Sequence, residues 1–85
     1  MTQPSILAID KSFHVRGGKV FRNLHELKSG LDSISEEDFQ FHLKNGNNDF
    51  AEWIKHIFDN DKLASSLKKI ETKKGFIKKL EEFGI

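Results

Sequence analysis

There is no cysteine among these 85 residues. That excludes disulfides and thiol catalysis, and any zinc site would have to do without thiolates. Long apolar runs are missing as well, and no stretch approaches the roughly 20 apolar residues of a membrane span. The opening residues, Met1 to Ser12, carry neither the basic end nor the apolar run of a signal peptide. A soluble, cytoplasmic protein is the expectation. The one proline, Pro4, argues against an early helix. Residues 1–11 are therefore expected to be a mobile lead-in to a single small domain over residues 12–85.

What the chain does have is large side chains: eight Phe and one Trp, in a sequence with 32% charged residues. A domain of this size hides only about 60–65% of its unfolded surface, so bulky aromatics matter to its core. The composition predicts a folded globule and not a disordered tail. The net charge of +1 conceals an asymmetry. From Lys68 onward six lysines face three glutamates, whereas the preceding residues are mildly acidic.

Residues 12–24 read as a hairpin. Phe13 and Val15 alternate with His14 and Arg16, Gly17-Gly18 can supply positive φ for a turn, and Val20 lies on the return strand. An isolated hairpin is marginal, so this one has to lie on helices. Asn23 caps the next element, in which Leu24, Leu27 and Leu31 form one apolar stripe and Gly30 weakens the last turn. Ser35 caps a short helix opening with Glu36, Glu37 and Asp38, where the helix dipole favours acids, and Ile34 and Phe39 sit at staple positions. Asn45-Gly46 is its natural stop. Asn48 or Asp49 caps the strongest helical pattern in the chain, Phe50, Trp53, Ile54, Ile57 and Phe58. Asp59-Asn60-Asp61 punctuates, and Leu63, Ala64, Leu67 and Ile70 mark a further helix. Thr72 caps a last one carrying Phe76, Ile77, Leu80 and Phe83, with Gly84 at its end. The predicted fold class is mainly α, α+β at most: four to five short helices in a small bundle with an N-terminal β-hairpin.

The hairpin, the Phe39–His42–Leu43 turn, then Asn48-Asp49-Phe50, Trp53-Ile54, and Asp61 with Leu63-Ala64 resemble the DUF5752 family of archaeal and bacterial domains of unknown function. The best match covers about a third of the chain, residues 39–67. The resemblance implies no activity. Members look like accessory domains, which favours an interaction module.

Few residues invite chemistry. On its helix His42 shares a face with Phe39 and Leu43, so its imidazole points inward, and Asp49 is its most plausible companion. Such a pair can serve as a general base or contribute to a metal site, but a core histidine satisfied by a nearby cap is the more common outcome. His56 follows Glu52 at i,i+4, an ordinary surface pair, and His14 and His25 fall on polar faces. No two histidines have metal-ligand spacing, so no metal and no cofactor is expected. Asp59 and Asp61 begin like a calcium loop, but Leu63 occupies a ligand position and the required Gly and Glu are missing. Gly17-Gly18 is not followed by the Lys and hydroxyl of a phosphate loop, and Ser65-Ser66 has no base nearby. Catalytic residues are not expected.

Two binding surfaces remain. Phe41 lies opposite Phe39 and Leu43, so it is either sandwiched in the core or exposed. Exposed, it would join Trp53, at the rim of its own stripe, in an aromatic patch for a protein partner or a second copy. The other candidate is a lysine patch, Lys68, Lys69, Lys73, Lys74, Lys78 and Lys79, facing the phosphates of nucleic acid. A solvated helix face is the favoured account of those lysines, nucleic-acid binding comes next, and a membrane surface is the weakest fit because the apolar face is needed for the core. The favoured reading is a non-enzymatic protein-interaction module, with nucleic-acid binding as the alternative.

Overall fold

Gly17 and Gly18 shape the first element. In the computed structural model, which describes residues 11–85, they have φ of +101° and +107°. Gly18 N–H donates to the Val15 carbonyl at 3.0 Å and Val15 N–H donates to Lys19 O at 2.8 Å. Gly17 thus sits third in the turn, where a type II geometry demands positive φ. The turn pairs β1 (Phe13–His14) antiparallel with β2 (Val20–Phe21), Phe13 opposite Phe21 and His14 opposite Val20. Phe13, Val15 and Phe21 are buried while His14, Arg16 and Val20 are exposed, so the alternation turns one face of the ribbon onto the helices. The expected lead-in, residues 1–11, lies outside the described residues except for Lys11.

Five α-helices follow among the described residues: α1 (Leu24–Gly30), α2 (Glu36–Phe41), α3 (Asp49–Phe58), α4 (Asp61–Lys68) and α5 (Lys73–Glu82). Single tighter turns at Leu31–Ser33 and Lys44–Gly46 follow α1 and α2. Each helix starts the same way. The side chains of Asn23, Ser35, Asn48, Asn60 and Thr72 accept from the backbone N–H three residues on, satisfying a donor the helix itself cannot. Between α3 and α4, Asp59 reverses the chain in the left-handed conformation at φ +53°. The protein is mainly helical with an N-terminal hairpin, as its spacing predicts.

α2 stops at Phe41, earlier than the expected Asn45-Gly46. The cause is a tightening of its end: His42 N–H donates to Phe39 O at 3.1 Å and Leu43 N–H to Gln40 O at 2.9 Å. The His42 carbonyl then accepts Asp49 N–H at 2.9 Å, closing the α2–α3 connection onto itself. Of the two candidate caps for α3, Asn48 takes the role. Its Oδ1 accepts Ala51 N–H and its Nδ2 donates to Leu67 O, both at 3.0 Å, which ties the start of α3 to the end of α4.

Phe50 sits at the centre of the core. Its ring centroid lies 4.7 Å from Phe13, 5.5 Å from Phe39 and 5.4 Å from Phe76. One ring therefore joins the hairpin, α2, α3 and α5. Leu27, Leu31, Ile54, Leu63, Leu67 and Leu80 are also wholly buried. Among the described residues, no helix is long and apolar enough to cross a membrane.

Gly30 is more than a weak last turn. A Cβ built there would run into the Phe21 ring, so glycine is what lets β2 close on α1. In an open helix position Gly→Ala gains up to about 1 kcal/mol. Here Gly30→Ala is expected to destabilise the fold by about 1–3 kcal/mol through overpacking, read as a lowered urea midpoint.

Candidate functional site

The end of α2, the hairpin turn and the start of α3 meet at His42. The residue is 7% exposed, and its ring packs edge-on against Phe13 and Phe50, with centroids 5.0 and 5.5 Å away. Nδ1 lies 3.0 Å from Asp49 Oδ2. Nε2 accepts the backbone N–H of Arg16 at 3.0 Å. An amide can only donate, so Nε2 carries no proton and the ring is neutral, with its proton on Nδ1 directed at Asp49. The predicted His42–Asp49 pair is brought together, with the imidazole inside and the carboxylate half-exposed.

This is the Asp–His half of a charge-relay arrangement, in which Nε2 would take a proton from a nucleophile. Here Nε2 faces a backbone amide, and both ring nitrogens are committed to holding elements together. The pair anchors the hairpin turn to the α2–α3 connection. Among the described residues, no three His, Asp or Glu side chains are placed to hold a metal ion.

Phe41 and Trp53 do not share a surface. Phe41 is 39% exposed, whereas Trp53 is only 8% exposed. The indole N–H of Trp53 donates to Lys11 O at 2.8 Å, and its ring packs against Phe13 at 5.5 Å and Phe58 at 5.1 Å. An aromatic patch including Trp53 is therefore corrected. Trp53 supports the fold from within, because the start of the hairpin covers the side of α3 that helical spacing leaves at the rim.

Phe41 instead has two cations against its ring. The Arg16 guanidinium and the Lys44 ammonium each lie 5.0 Å from its ring centroid. Arg16 Nε also reaches Asp38 Oδ1 at 3.5 Å. A shallow groove beside the ring is lined by Arg16, Glu37, Gln40, Phe41, Leu43 and Lys44. Gln40 Nε2 donates to the Glu71 carbonyl at 3.0 Å, pinning α2 to the α4–α5 corner. Neither cation was singled out by sequence pattern. Lys44 follows Phe41 at i+3, a spacing that brings side chains together on a helix, but Arg16 reaches it only because the hairpin turn docks at His42.

The lysine patch is only partly assembled. Lys68, Lys69, Lys74 and Lys78 are exposed around the α4–α5 corner. Lys73 is withdrawn from it, because Nζ donates to Ile34 O at 2.7 Å. Lys79 is bound to Glu82 Oε1 at 2.9 Å. That bond holds the Glu82 carboxyl below the ordinary glutamate range. The Arg22 backbone N–H, helped by its guanidinium, does the same for Glu26. Both carboxyls brace helix ends. His56 pairs with Glu52 at 3.2 Å on the surface of α3.

The chain belongs to the Family of unknown function (DUF5752), whose family model matches residues 8–83. The match covers nearly the whole chain, well beyond the third that carried the resemblance. No curated protein and no solved structure matches it.

Proposed function

We propose that this member of the family is a non-enzymatic accessory module that binds a protein partner through the surface centred on Phe41. The observation that carries this reading is the two-sided α2. Phe39 is wholly buried and Phe41, two residues on, is 39% exposed, on a helix of six residues. The core takes one apolar face of that helix wholly and leaves the other only partly covered, by the His42 ring edge and two cations. The helix is also held firmly, by His42 to the hairpin and by Gln40 to the α4–α5 corner. A ring on such a support loses little conformational freedom when a partner covers it. The commitment of both His42 nitrogens to the fold supports the non-enzymatic part of the reading. A photo-crosslinking phenylalanine analogue in place of Phe41, compared with one in place of His56, tests it in native extract. A discrete protein adduct from position 41 alone is expected. Its absence would remove the reading.

The alternative is nucleic-acid binding at the α4–α5 corner. The observation favouring it is that Lys68, Lys69, Lys74 and Lys78 remain exposed there, with no carboxylate in the first turn of α5. Binding of labelled mixed-sequence DNA or RNA would then weaken steeply with salt and fall when Lys74 and Lys78 become Gln. Unchanged affinity in that variant would end this reading.

A further inference from the structure

We infer that the segment received by the Phe41 surface is acidic and carries an apolar anchor residue; this rests on the protein-binding reading above. The groove beside the ring has an apolar floor, Phe41 with half-buried Leu43, and its charged lining is Arg16 and Lys44 against Glu37. Both cations sit against the ring, 5.0 Å from its centroid. Their hydrogen-bonding capacity is largely unspent. Among the described residues Lys44 meets no carboxylate, and the Arg16 side chain has only the long Nε contact to Asp38 at 3.5 Å.

Three kinds of occupant can be compared by what each does to these two charges. An uncharged apolar segment would cover Arg16 and Lys44 without giving them partners, which costs desolvation with no return. A nucleobase stacking on Phe41 would compete with Arg16 and Lys44, each 5.0 Å from the ring centroid, for the ring's faces. A segment with Asp or Glu on either side of an apolar residue does neither. Its anchor meets Phe41 and Leu43 in the groove while its carboxylates pair with Arg16 and Lys44. Glu37 would repel carboxylates at its end of the groove, so the acidic side chains belong nearer Lys44 and Arg16. Charge complementarity of this kind sets partner choice and encounter rate more than raw affinity.

The test is a selection from a random 12-residue peptide library displayed on phage, against the domain, Phe41→Ser and Lys44→Glu. Circular dichroism checks that both variants are folded. Peptides enriched by the parent domain are expected to carry Asp or Glu around an apolar residue. They should bind Lys44→Glu about 10-fold more weakly, as expected for reversing one paired charge at an interface rim. Enrichment that depends on Phe41 but shows no acidic bias would overturn this inference and leave the protein-binding reading standing. Absence of any Phe41-dependent enrichment would overturn both.

Discussion

Phe50→Ala is expected to cost about 3–5 kcal/mol, the usual range for truncating a buried phenylalanine. A domain of 85 residues has only about 4–13 kcal/mol of total stability, so the loss brings the chain to the edge of unfolding. The large effect follows from position. Phe50 is wholly buried, and its ring touches Phe13 on the hairpin, Phe39 on α2, Phe76 on α5 and the His42 imidazole. Four separately formed elements lose their shared contact at once, and neighbours pinned by their own hydrogen bonds cannot collapse into the space. Urea unfolding followed by Trp53 fluorescence reads the change. Ile57→Ala, on the exposed side of the same helix, serves as the control and should shift stability by less than about 1 kcal/mol. Equal effects at the two positions would contradict the packing described here.

His42→Ala is the second large prediction, at about 2–4 kcal/mol. Two losses combine: a buried ring in contact with Phe13 and Phe50, and the acceptor for the Arg16 amide. His42→Phe separates them. It refills most of the volume but leaves that N–H unpaired, so about 1–3 kcal/mol should remain. Hydrogen exchange localises the effect. In both variants the Arg16 amide should lose protection well beyond the change at α4, because that bond is the amide's own and the remaining links from the turn to α2 run through the exposed Arg16 side chain. An Arg16 amide that stays protected in His42→Phe would show that the imidazole is not what anchors the turn.

Much of the fold was legible because its signals are local. Asn23, Ser35 and Thr72 declare helix starts by side-chain chemistry that acts within three residues. Gly17 marks the turn by the φ it permits. The Phe50, Trp53, Ile54 spacing needs only the pitch of a helix. Local signals do not decide where the deciding partner is far along the chain. Asn48 and Asp49 were equivalent as caps until Leu67 O was in place. The Asn48 amide both accepts Ala51 N–H and donates to that carbonyl, which an ionised carboxylate cannot do. Trp53 lay at the edge of its stripe by spacing, and its burial comes from Lys11 and Phe13, some forty residues earlier. Lys73 looked like one of six equivalent lysines until Ile34 O took its ammonium.

At the candidate site the same division holds. The inward direction of His42 and its companion Asp49 followed from helix geometry and a short connection. That Nε2 would meet the Arg16 amide could not be read, because it depends on where the hairpin docks. The same docking puts Arg16 over Phe41, and so turns an ambiguous phenylalanine into a ring with two cations against it.

The central claim is that Phe41 belongs to a surface kept for a partner and not to the core. The most direct measurement is the unfolding free energy of Phe41→Ser beside that of Phe39→Ser, by urea titration of both with the parent. Phe41→Ser should remain folded and lose no more than about 2 kcal/mol, the worth of two exposed cation–π contacts and a partly covered ring, while Phe39→Ser should lose clearly more or fail to fold. If Phe41→Ser unfolds the domain outright, Phe41 is core and the proposed surface does not exist.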